Sequence, residues 1–399
     1  MKPKVIVLLF LFLGGCLLLS GCVGLNQQPI GWSGPAVEGD FLYVGTAGGK
    51  VISYTLIDVS GGKYATERWQ FPAKGEPGLG ADEGGSFLSC SGAMGSAIYS
   101  TTFVANGTVY FGDYDGTVYA LNSSSRIAGH SFPQQLAGEW DYPDEGVIGN
   151  IVGSPVVADG ILYIGSSDGN LYAIETATGK LAWDSPYVTG DQIWSTPLVH
   201  EGVVYVGSFD NKLHAIDAIV GTPVWEFEAG GTITATPLIY NGTIYFGSFD
   251  RKFHAVDAIT GQAKEGFVPY AAGDWFWGKA LAYDDTIIVG CMDNRVYALD
   301  AESGELKWDY ETGGPVSGDP AMFGDLVFFG SNDGKIHALN ATNGNEIWIY
   351  PHGEDYFGPM RSPVYAGDGE VYVHDQQNNK LYSLGALDGR EIWSVSTLD

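Results

Sequence analysis

The sequence predicts an all-β protein, an eight-bladed β-propeller of four-stranded antiparallel blades. A pattern of short strands and turns occurs eight times, after Trp140 at intervals of about 40 to 45 residues, and repeats of this length are typical of propellers. Glycine is abundant, at 58 residues, and aromatic residues make up 13% of the chain, whereas charged residues make up only 17%. This composition favours short strands joined by tight turns over helices.

The repeating unit is clearest at residues 202–225, which read GVVYVGSFDNKLHAIDAIVGTPVW. Two alternating apolar runs flank the pair Asp210-Asn211, and a second pair, Val220-Gly221, precedes a run that ends in Trp225. Two-residue hairpin turns need a positive φ angle, which Gly, Asn and Asp tolerate best. Three such turns in each unit join four strands, which we letter A to D from the central channel outward.

Most units close on a tryptophan in the region of strand D. Glu265 stands at the corresponding position of the fifth unit. The closing tryptophans are Trp69, Trp140, Trp183, Trp225, Trp308, Trp348 and Trp393.

The first residues predict export and lipid attachment. Lys2 and Lys4 precede an apolar stretch, which ends in the sequence LSGC at Cys22. A basic start, a short apolar core and small residues at the cleavage site describe an export signal. The LSGC sequence resembles the lipobox of prokaryotic lipoproteins, with Cys22 as the lipidated residue. We therefore predict a signal peptide at 1–21, a tether at 22–31 and one propeller at 32–399, anchored outside the cytoplasm to the cell membrane or the outer membrane.

The chain is strongly acidic. Its formal charge is −28, with 19 basic and 47 acidic residues, and removal of the signal peptide with Lys2 and Lys4 makes it more negative still. Such a surface repels nucleic-acid phosphates and anionic lipid headgroups. We predict that the protein does not bind nucleic acid and that the lipid anchor is its link to the membrane.

The turn aspartates and the strand histidines are predicted to be structural. A calcium loop gathers six or more oxygens within about a dozen residues and closes on a Glu, which the sequence DYDG at 113–116 lacks. His214, His254 and His337 occupy one repeat position on separate blades, where most of the other units have Tyr. Neither pattern predicts a metal site.

Two segments carry the resemblance to a known family. Residues 171–183 (LYAIETATGKLAW) and 296–308 (VYALDAESGELKW) resemble the pyrroloquinoline quinone (PQQ)-like propeller repeat, and the resemblance covers nearly all of the predicted propeller. It implies that the Gly, and the Trp four residues later, dock neighbouring blades. With the lipobox in front, the chain resembles the BamB family of lipoproteins, which serve outer-membrane β-barrel assembly. That resemblance implies a monomeric, non-catalytic scaffold that binds a protein or peptide partner in the cell envelope.

A PQQ-dependent dehydrogenase or redox subunit is the alternative function, because quinoprotein dehydrogenases share this repeat. Enzymes resembling methanol dehydrogenase hold the quinone between a Trp and a disulfide of adjacent cysteines, beside calcium and a catalytic Asp. This sequence contains no Cys-Cys pair and no CxxCH haem motif. We therefore predict no catalysis, no cofactor and no metal. Cys90 and Cys291 could form a disulfide in an exported protein, but the sequence does not show whether they lie close together.

The tryptophans that do not close a repeat lie in linkers between blades. Trp32, Trp194, Trp275 and Trp277 each stand where a linker leads into strand A. Such linkers share one face of a propeller and surround the channel mouth, and aromatic and Arg side chains are typical of binding hot spots. Two interpretations stay open: the rings bind a protein or a polysaccharide, or they plug the channel. The candidate binding funnel comprises Trp32, Tyr187, Asp191, Trp194, Tyr270, Asp274, Trp275, Trp277, Lys279, Tyr356, Phe357 and Arg361.

Overall fold

The structure is a computed structural model that describes residues 33–59, 62–72, 96–123, 140–144, 146–353 and 357–398. These residues contain no helix that is long and apolar enough to cross a membrane. Several features predicted from the sequence lie outside the described residues, namely the signal peptide, the tether, Cys22, Trp32, Cys90 and Tyr356.

The described chain forms eight sheets of four antiparallel strands, and each sheet uses four consecutive strands. The first strands of neighbouring sheets contact one another, so strand A of each blade lies at the centre and strand D lies outside. This arrangement confirms the predicted eight-bladed β-propeller.

The strands of blades 1 to 4 follow one another along the first half of the chain. They are β1 (Ala36–Glu38), β2 (Phe41–Gly45), β3 (Val51–Val59), β4 (Gly62–Phe71), β5 (Phe103–Ala105), β6 (Thr108–Gly112), β7 (Val118–Asn122), β8 (Trp140–Tyr142), β9 (Val156–Ala158), β10 (Ile161–Gly165), β11 (Asn170–Glu175), β12 (Tyr187–Val188), β13 (Leu198–His200), β14 (Val203–Gly207), β15 (Lys212–Asp217) and β16 (Pro223–Glu228).

Blades 5 to 8 repeat this order. Their strands are β17 (Leu238–Tyr240), β18 (Thr243–Gly247), β19 (Lys252–Asp257), β20 (Tyr270–Ala271), β21 (Leu281–Tyr283), β22 (Thr286–Cys291), β23 (Arg295–Asp300), β24 (Leu306–Glu311), β25 (Ala321–Phe323), β26 (Leu326–Ser331), β27 (Lys335–Asn340), β28 (Glu346–Tyr350), β29 (Tyr365–Gly367), β30 (Glu370–Asp375), β31 (Lys380–Gly385) and β32 (Glu391–Ser396).

The apolar core is divided among the blade interfaces. Eight clusters of buried side chains occur, and each combines residues of two neighbouring blades. Strands B and C are covered on both faces by adjacent blades, so successive residues of β14 and β15 are buried. Stability therefore depends on how the blades dock.

The turns between strands A and B adopt the backbone predicted for two-residue hairpins. Asn106 and Gly107 in blade 2 have φ angles of 53° and 75°, and Asn241 and Gly242 in blade 5 have φ angles of 48° and 72°. Both residues of each pair lie in the left-handed region, as the tight turns of twisted hairpins require.

Neighbouring blades are joined by a repeated contact between an aromatic ring and a glycine. Trp183 of blade 3 packs against Gly221 of blade 4, where a Cβ atom would lie 2.6 Å from the ring. Gly221 also has a φ angle of 72°, so both space and backbone geometry require glycine there. The Nε1–H of Trp183 donates to the Ala218 carbonyl at 3.1 Å, and the Tyr163 hydroxyl donates to the same oxygen at 3.0 Å. The same contact joins Trp140 to Gly179, Trp225 to Gly261, Trp308 to Gly344 and Trp348 to Gly389.

Blade 5 uses Phe267 in place of a closing tryptophan. Glu265, at the position that the sequence pattern indicates, is exposed. Gly266 has a φ angle of 82° and redirects the chain, so that the buried Phe267 ring faces Gly304 of blade 6. A Phe ring has no hydrogen-bond donor, so the Tyr245 hydroxyl, which donates to the Ala301 carbonyl at 2.7 Å, keeps the contact that Tyr163 makes in blade 3 without the indole beside it. The sequence pattern misses this docking ring because the chain turns before reaching it.

Blades 8 and 1 close the propeller without exchanging a strand. Lys63 in β4 forms an ion pair with Asp368 of blade 8 at 2.8 Å, and its backbone N–H donates to Glu370 at 3.1 Å. Trp393 packs into the cluster between these blades, but its Nε1 has no hydrogen-bond partner in the structure. Polar contacts of the long β3–β4 hairpin therefore supplement the ring at this interface.

His374 is buried at the same interface. Its Nδ1 lies 3.2 Å from the Ser33 carbonyl of blade 1, and its Nε2 lies 3.4 Å from the Thr397 hydroxyl. These partners fit a neutral ring with the proton on Nδ1. Burial lowers the pKa of His374 to about 4, although the Ser33 carbonyl and the charge of Asp375 act in the opposite direction.

Replacement of the docking tryptophans is expected to cost unequal amounts of stability. Trp225→Phe removes one donor from the Ala258 carbonyl, but the Tyr205 hydroxyl remains on that oxygen at 3.1 Å. Trp308→Phe removes the indole donor from the Ala341 carbonyl. No strand B tyrosine compensates in this blade, because Ile288 stands at the position that Tyr205 has in blade 4. We expect Trp308→Phe to lower the free energy of unfolding by about 1 kcal/mol more than Trp225→Phe does. Calorimetry of both variants measures the difference, and equal losses would contradict a role for the carbonyl.

Acidification is expected to weaken the closure. The unfolded chain protonates His374 near pH 6.5 and the folded chain near pH 4, so the stabilisation is complete above the first value and is lost as the pH falls towards the second. The loss amounts to at most about 3 kcal/mol. Between these pH values, we expect the Tm of the wild-type protein to fall more steeply than that of His374→Asn, whose amide can still donate to Ser33. Parallel pH dependences would show that His374 does not control the closure.

Candidate functional site

The linkers place Trp194 and Trp277 at the channel through the residues just before them. Ile193 is fully buried, and its side chain packs over Gly165, where a Cβ atom would lie 2.1 Å from Ile193 Cγ2. Phe276 is held in the same way, over a glycine of strand B in blade 5. Successive residues of an extended chain point to opposite sides. Burial of Ile193 and Phe276 therefore turns Trp194 and Trp277 towards the channel.

Five aromatic rings form a continuous row on this face. Trp194 contacts Phe209 with ring centroids 4.7 Å apart and Trp277 with centroids 6.4 Å apart. Trp277 contacts Phe249 at 5.3 Å, and Phe249 stacks on Trp275 at 4.5 Å. We call these five residues the aromatic row. Trp275 is 42% exposed and the others are half-buried, so the row presents an apolar surface beside the channel.

Hydrogen bonds hold the aromatic row in place. The Nε1–H of Trp194 donates to the Ser167 hydroxyl at 2.9 Å. The Phe209 N–H donates to the Gln192 carbonyl at 2.9 Å, and the Trp275 carbonyl accepts from the next blade at the same distance. The rings are therefore preorganised, which reduces the entropy that a bound partner would cost.

A cavity of about 80 Å³ lies in the channel next to the aromatic row. Tyr99, Trp194, Trp277 and Arg361 occupy one repeat position in different blades and line it. Hydroxyl groups of residues just before strand A complete the wall and join the blades: for example, the Thr101 N–H donates to Ser154 Oγ at 2.9 Å. Ligand pockets typically measure about 300 to 1,000 Å³, so this cavity accommodates a small group rather than a whole ligand.

The two predicted cations of the funnel have different surroundings. The backbone N–H of Lys279 donates to Asp319 Oδ1 at 2.8 Å. Burial raises the pKa of Asp319, whereas this N–H and the charge of Lys279 lower it. The guanidinium of Arg361 is exposed at the cavity and forms no ion pair or hydrogen bond with any described residue. The cavity wall therefore contains both the Arg361 guanidinium and the Asp319 carboxyl group, and burial is the strongest influence on the pKa of that carboxyl group.

The structure places Tyr187, Tyr270 and Phe357 between blades rather than at the channel, which corrects their assignment to the funnel. The Tyr187 hydroxyl lies 3.1 Å from Nδ1 of His214 in blade 4. Tyr270 packs on the strand C tyrosine of blade 6 with ring centroids 5.1 Å apart, and the buried Phe357 packs on Tyr382 at 4.7 Å. These residues belong to strand D or to the first part of a linker, which still follows the blade interface.

Asp191 and Asp274 shape the linkers beside the aromatic row. Asp191 Oδ1 accepts the N–H of Gln192 at 2.8 Å, and Asp274 Oδ1 accepts the N–H of Trp275 at 2.9 Å. Asp191 is exposed and Asp274 is half-buried. Two carboxylates thus border an apolar surface.

The aspartates of the B–C turns connect blades. Asp250 lies 3.0 Å from Nε2 of His254 and accepts the N–H of Gly230 in the preceding linker at 3.1 Å. Burial alone would raise the pKa of Asp250, but these hydrogen bonds and the charge of His254 lower it to about 2. No group of three or more His, Cys, Asp or Glu side chains suited to a metal ion occurs in the described part of the chain.

The described residues around the channel do not fit a quinone with its calcium ion. The cavity is small, and Asp319 already accepts the N–H of Lys279. Cys291 is a free, buried thiol that donates towards the Asp274 carbonyl at 3.3 Å. The disulfide, the carboxylate and the space that the quinoprotein resemblance implies do not come together among these residues.

Phe209 and Phe249 are the members of the aromatic row that the sequence reasoning missed. Both lie in B–C turns, in the sequence SFD, where blade 3 has SSD with Ser167. Alignment of the turns would have revealed two aromatic substitutions in adjacent blades. The turns and the linkers are distant in sequence, however, and only the fold brings them together.

Comparisons with known proteins agree with this architecture. The family model described as outer membrane protein assembly factor BamB matches residues 24–192, 134–266 and 269–399. Among solved structures, BamB from Moraxella catarrhalis is similar with a TM-score of 0.60 and 19% identity, over 89% of this chain and 93% of that chain. The computationally designed Ika8 protein is similar with a TM-score of 0.63 and 15% identity, over 92% and 96% of the chains. At such identities these two structures show the fold alone. No curated protein matches the sequence.

Proposed function

Because the chain belongs to the family of the outer membrane protein assembly factor BamB, we propose that it is a non-catalytic scaffold of the cell envelope. In this proposal a protein or peptide partner binds on the face that carries the aromatic row. The propeller acts as a monomer without a cofactor, and Cys22 carries the lipid that tethers it to a membrane. The observation that carries the proposal is the row itself, which joins five rings from two linkers and two turns.

The ring geometry favours a protein partner over a polysaccharide. Trp194 and Phe209 meet edge to face at an interplanar angle of 67°, and Phe249 covers one face of Trp275 at an angle of 7°. Sugars stack on open ring faces, whereas this row presents a mixture of edges and partly covered faces. Such a surface suits apolar side chains, which pack into the recesses between rings.

The charge of the protein restricts the partner further. The chain has a formal charge of −28, and Asp191 and Asp274 lie beside the aromatic row. Complementary charge speeds association, and like charge disfavours it. The contacting segment of the partner is therefore apolar with neutral or basic flanks.

The double substitution Trp194→Ala and Trp277→Ala is expected to abolish partner binding. It removes the centre of the aromatic row, and truncation of an interface tryptophan costs about 2 kcal/mol or more, a loss of at least about thirtyfold in affinity. Tagged wild-type and variant proteins are compared by affinity purification from envelope extracts, with quantitative mass spectrometry and a parallel glycan array.

Ile259→Ala with Leu387→Ala is the matched control. Both residues are exposed, at 80% and 72%, and both lie in C–D turns on the opposite face. The control should retain every partner of the wild-type protein. If the tryptophan variant is folded and also retains them, the rings plug the channel and the proposal is wrong. Loss of glycan binding alone would instead indicate a polysaccharide-binding module.

A further inference from the structure

Arg361 is the positively charged residue at the repeat position that lines the channel. It follows buried Met360 and precedes Ser362, just as Trp194 follows buried Ile193 and precedes a serine. The fold therefore presents its guanidinium to the same cavity as Trp194 and Trp277. A cation thus stands in a wall that also contains aromatic rings, hydroxyl groups and the Asp319 carboxyl group.

Two hydroxyl groups of the cavity wall are unsatisfied. Thr234 and Ser317 line the cavity, and Thr234 is only 6% exposed. Neither Thr234 Oγ1 nor Ser317 Oγ has a hydrogen-bond partner in the structure. Both hydroxyls can therefore donate hydrogen bonds to a ligand in the cavity.

The shape of the site separates a small polar part from a larger apolar part. The cavity of about 80 Å³ fits one small group, and the aromatic row extends from it along the surface to the exposed Trp275. A ligand must therefore insert one end, and the end that suits a guanidinium and two hydroxyl donors is a carboxylate. Its adjoining part must be apolar to lie on the row.

We propose that the channel captures the C-terminal carboxylate of a polypeptide, with Arg361 binding the carboxylate and Trp194 and Trp277 binding the last side chain. This inference rests on the proposed function, because it specifies which part of the protein partner occupies the aromatic row. Asp319 lines the same cavity, where its Oδ1 accepts the N–H of Lys279 and burial raises its pKa, which reduces its repulsion of a bound carboxylate. The acidic surroundings require that the preceding residues of the partner are neutral or basic.

Peptides with and without a terminal charge test this proposal. Two pools of nonapeptides, randomised except for a final Phe, are prepared as free acids and as C-terminal amides. Each pool is passed over immobilised full-length protein, and the retained fraction is quantified by mass spectrometry. The wild-type protein is expected to retain the free acids at least about tenfold better than the amides, because a charge-assisted contact contributes about 1.5 kcal/mol or more.

Variants assign the effect to the site. Arg361→Gln should abolish the preference for free acids and leave amide retention unchanged, and Thr234→Val should reduce the preference without changing side-chain volume. Arg390→Gln, which alters an exposed Arg in a C–D turn of the same blade, should behave like the wild-type protein. Trp277→Ala should reduce retention of both pools.

The outcomes distinguish this inference from the proposed function. Equal retention of acids and amides, with both lost in Trp277→Ala, would overturn the carboxylate site and leave the peptide-binding face intact. A preference for acids that persists in Arg361→Gln would also overturn it. Retention of neither pool by the wild-type protein would contradict both the inference and the proposed function.

Discussion

The contact between a ring of one blade and a glycine of the next is the interaction on which the rest of the structure depends. Trp183 fits against Gly221 because that glycine has no Cβ and a positive φ angle, and the indole donates to the carbonyl of Ala218. The apolar core lies between blades rather than within them, so each blade is buried only when it docks. Where Phe267 replaces the tryptophan in blade 5, the indole donor is lost, but the Tyr245 hydroxyl still donates to the carbonyl of the next blade, as Tyr163 does in blade 3. The closure between blades 8 and 1 relies on polar groups such as Lys63 and His374.

Because blade docking does not involve the ends of the linkers that face the channel, the linkers can differ from one another in sequence. Docking uses the outer strands and the C–D turns, whereas the linkers and B–C turns lie on the opposite face. A buried anchor such as Ile193 fixes each linker, and the next residue then faces the channel whatever its chemistry. Seven described blades place Tyr, Val, Trp, Thr, Trp, Ser and Arg at that position. The same scaffold can therefore present a different surface without any change in blade packing, and this explains why family membership defines the fold more closely than the partner.

The sequence predicts those features that depend on short-range geometry. Turn pairs such as Asn106-Gly107 and the spacing of Gly and Trp are local, and they were sufficient for the number of blades and for the order of strands. Tyr187 lies in the short strand D of blade 3 rather than in the linker that follows it. The sequence spacing does not show where this strand ends and the linker begins. Phe209 and Phe249 join the aromatic row only because turns and linkers meet in three dimensions. The sequence pattern does not predict that Phe267 docks blade 5 on blade 6, because a turn at Gly266 shifts this ring from the repeat position.

Site-specific photocrosslinking tests whether the partner binds on the face of the aromatic row. A benzophenone amino acid is placed at Trp275, the most exposed ring of the row, and in a second protein at Ile259, which is exposed on the opposite face. Cells that express either protein are irradiated, and adducts are identified by mass spectrometry. We expect a discrete protein adduct from position 275 and none of comparable yield from position 259. Equal adducts from both positions, or an adduct from position 259 alone, would contradict this expectation.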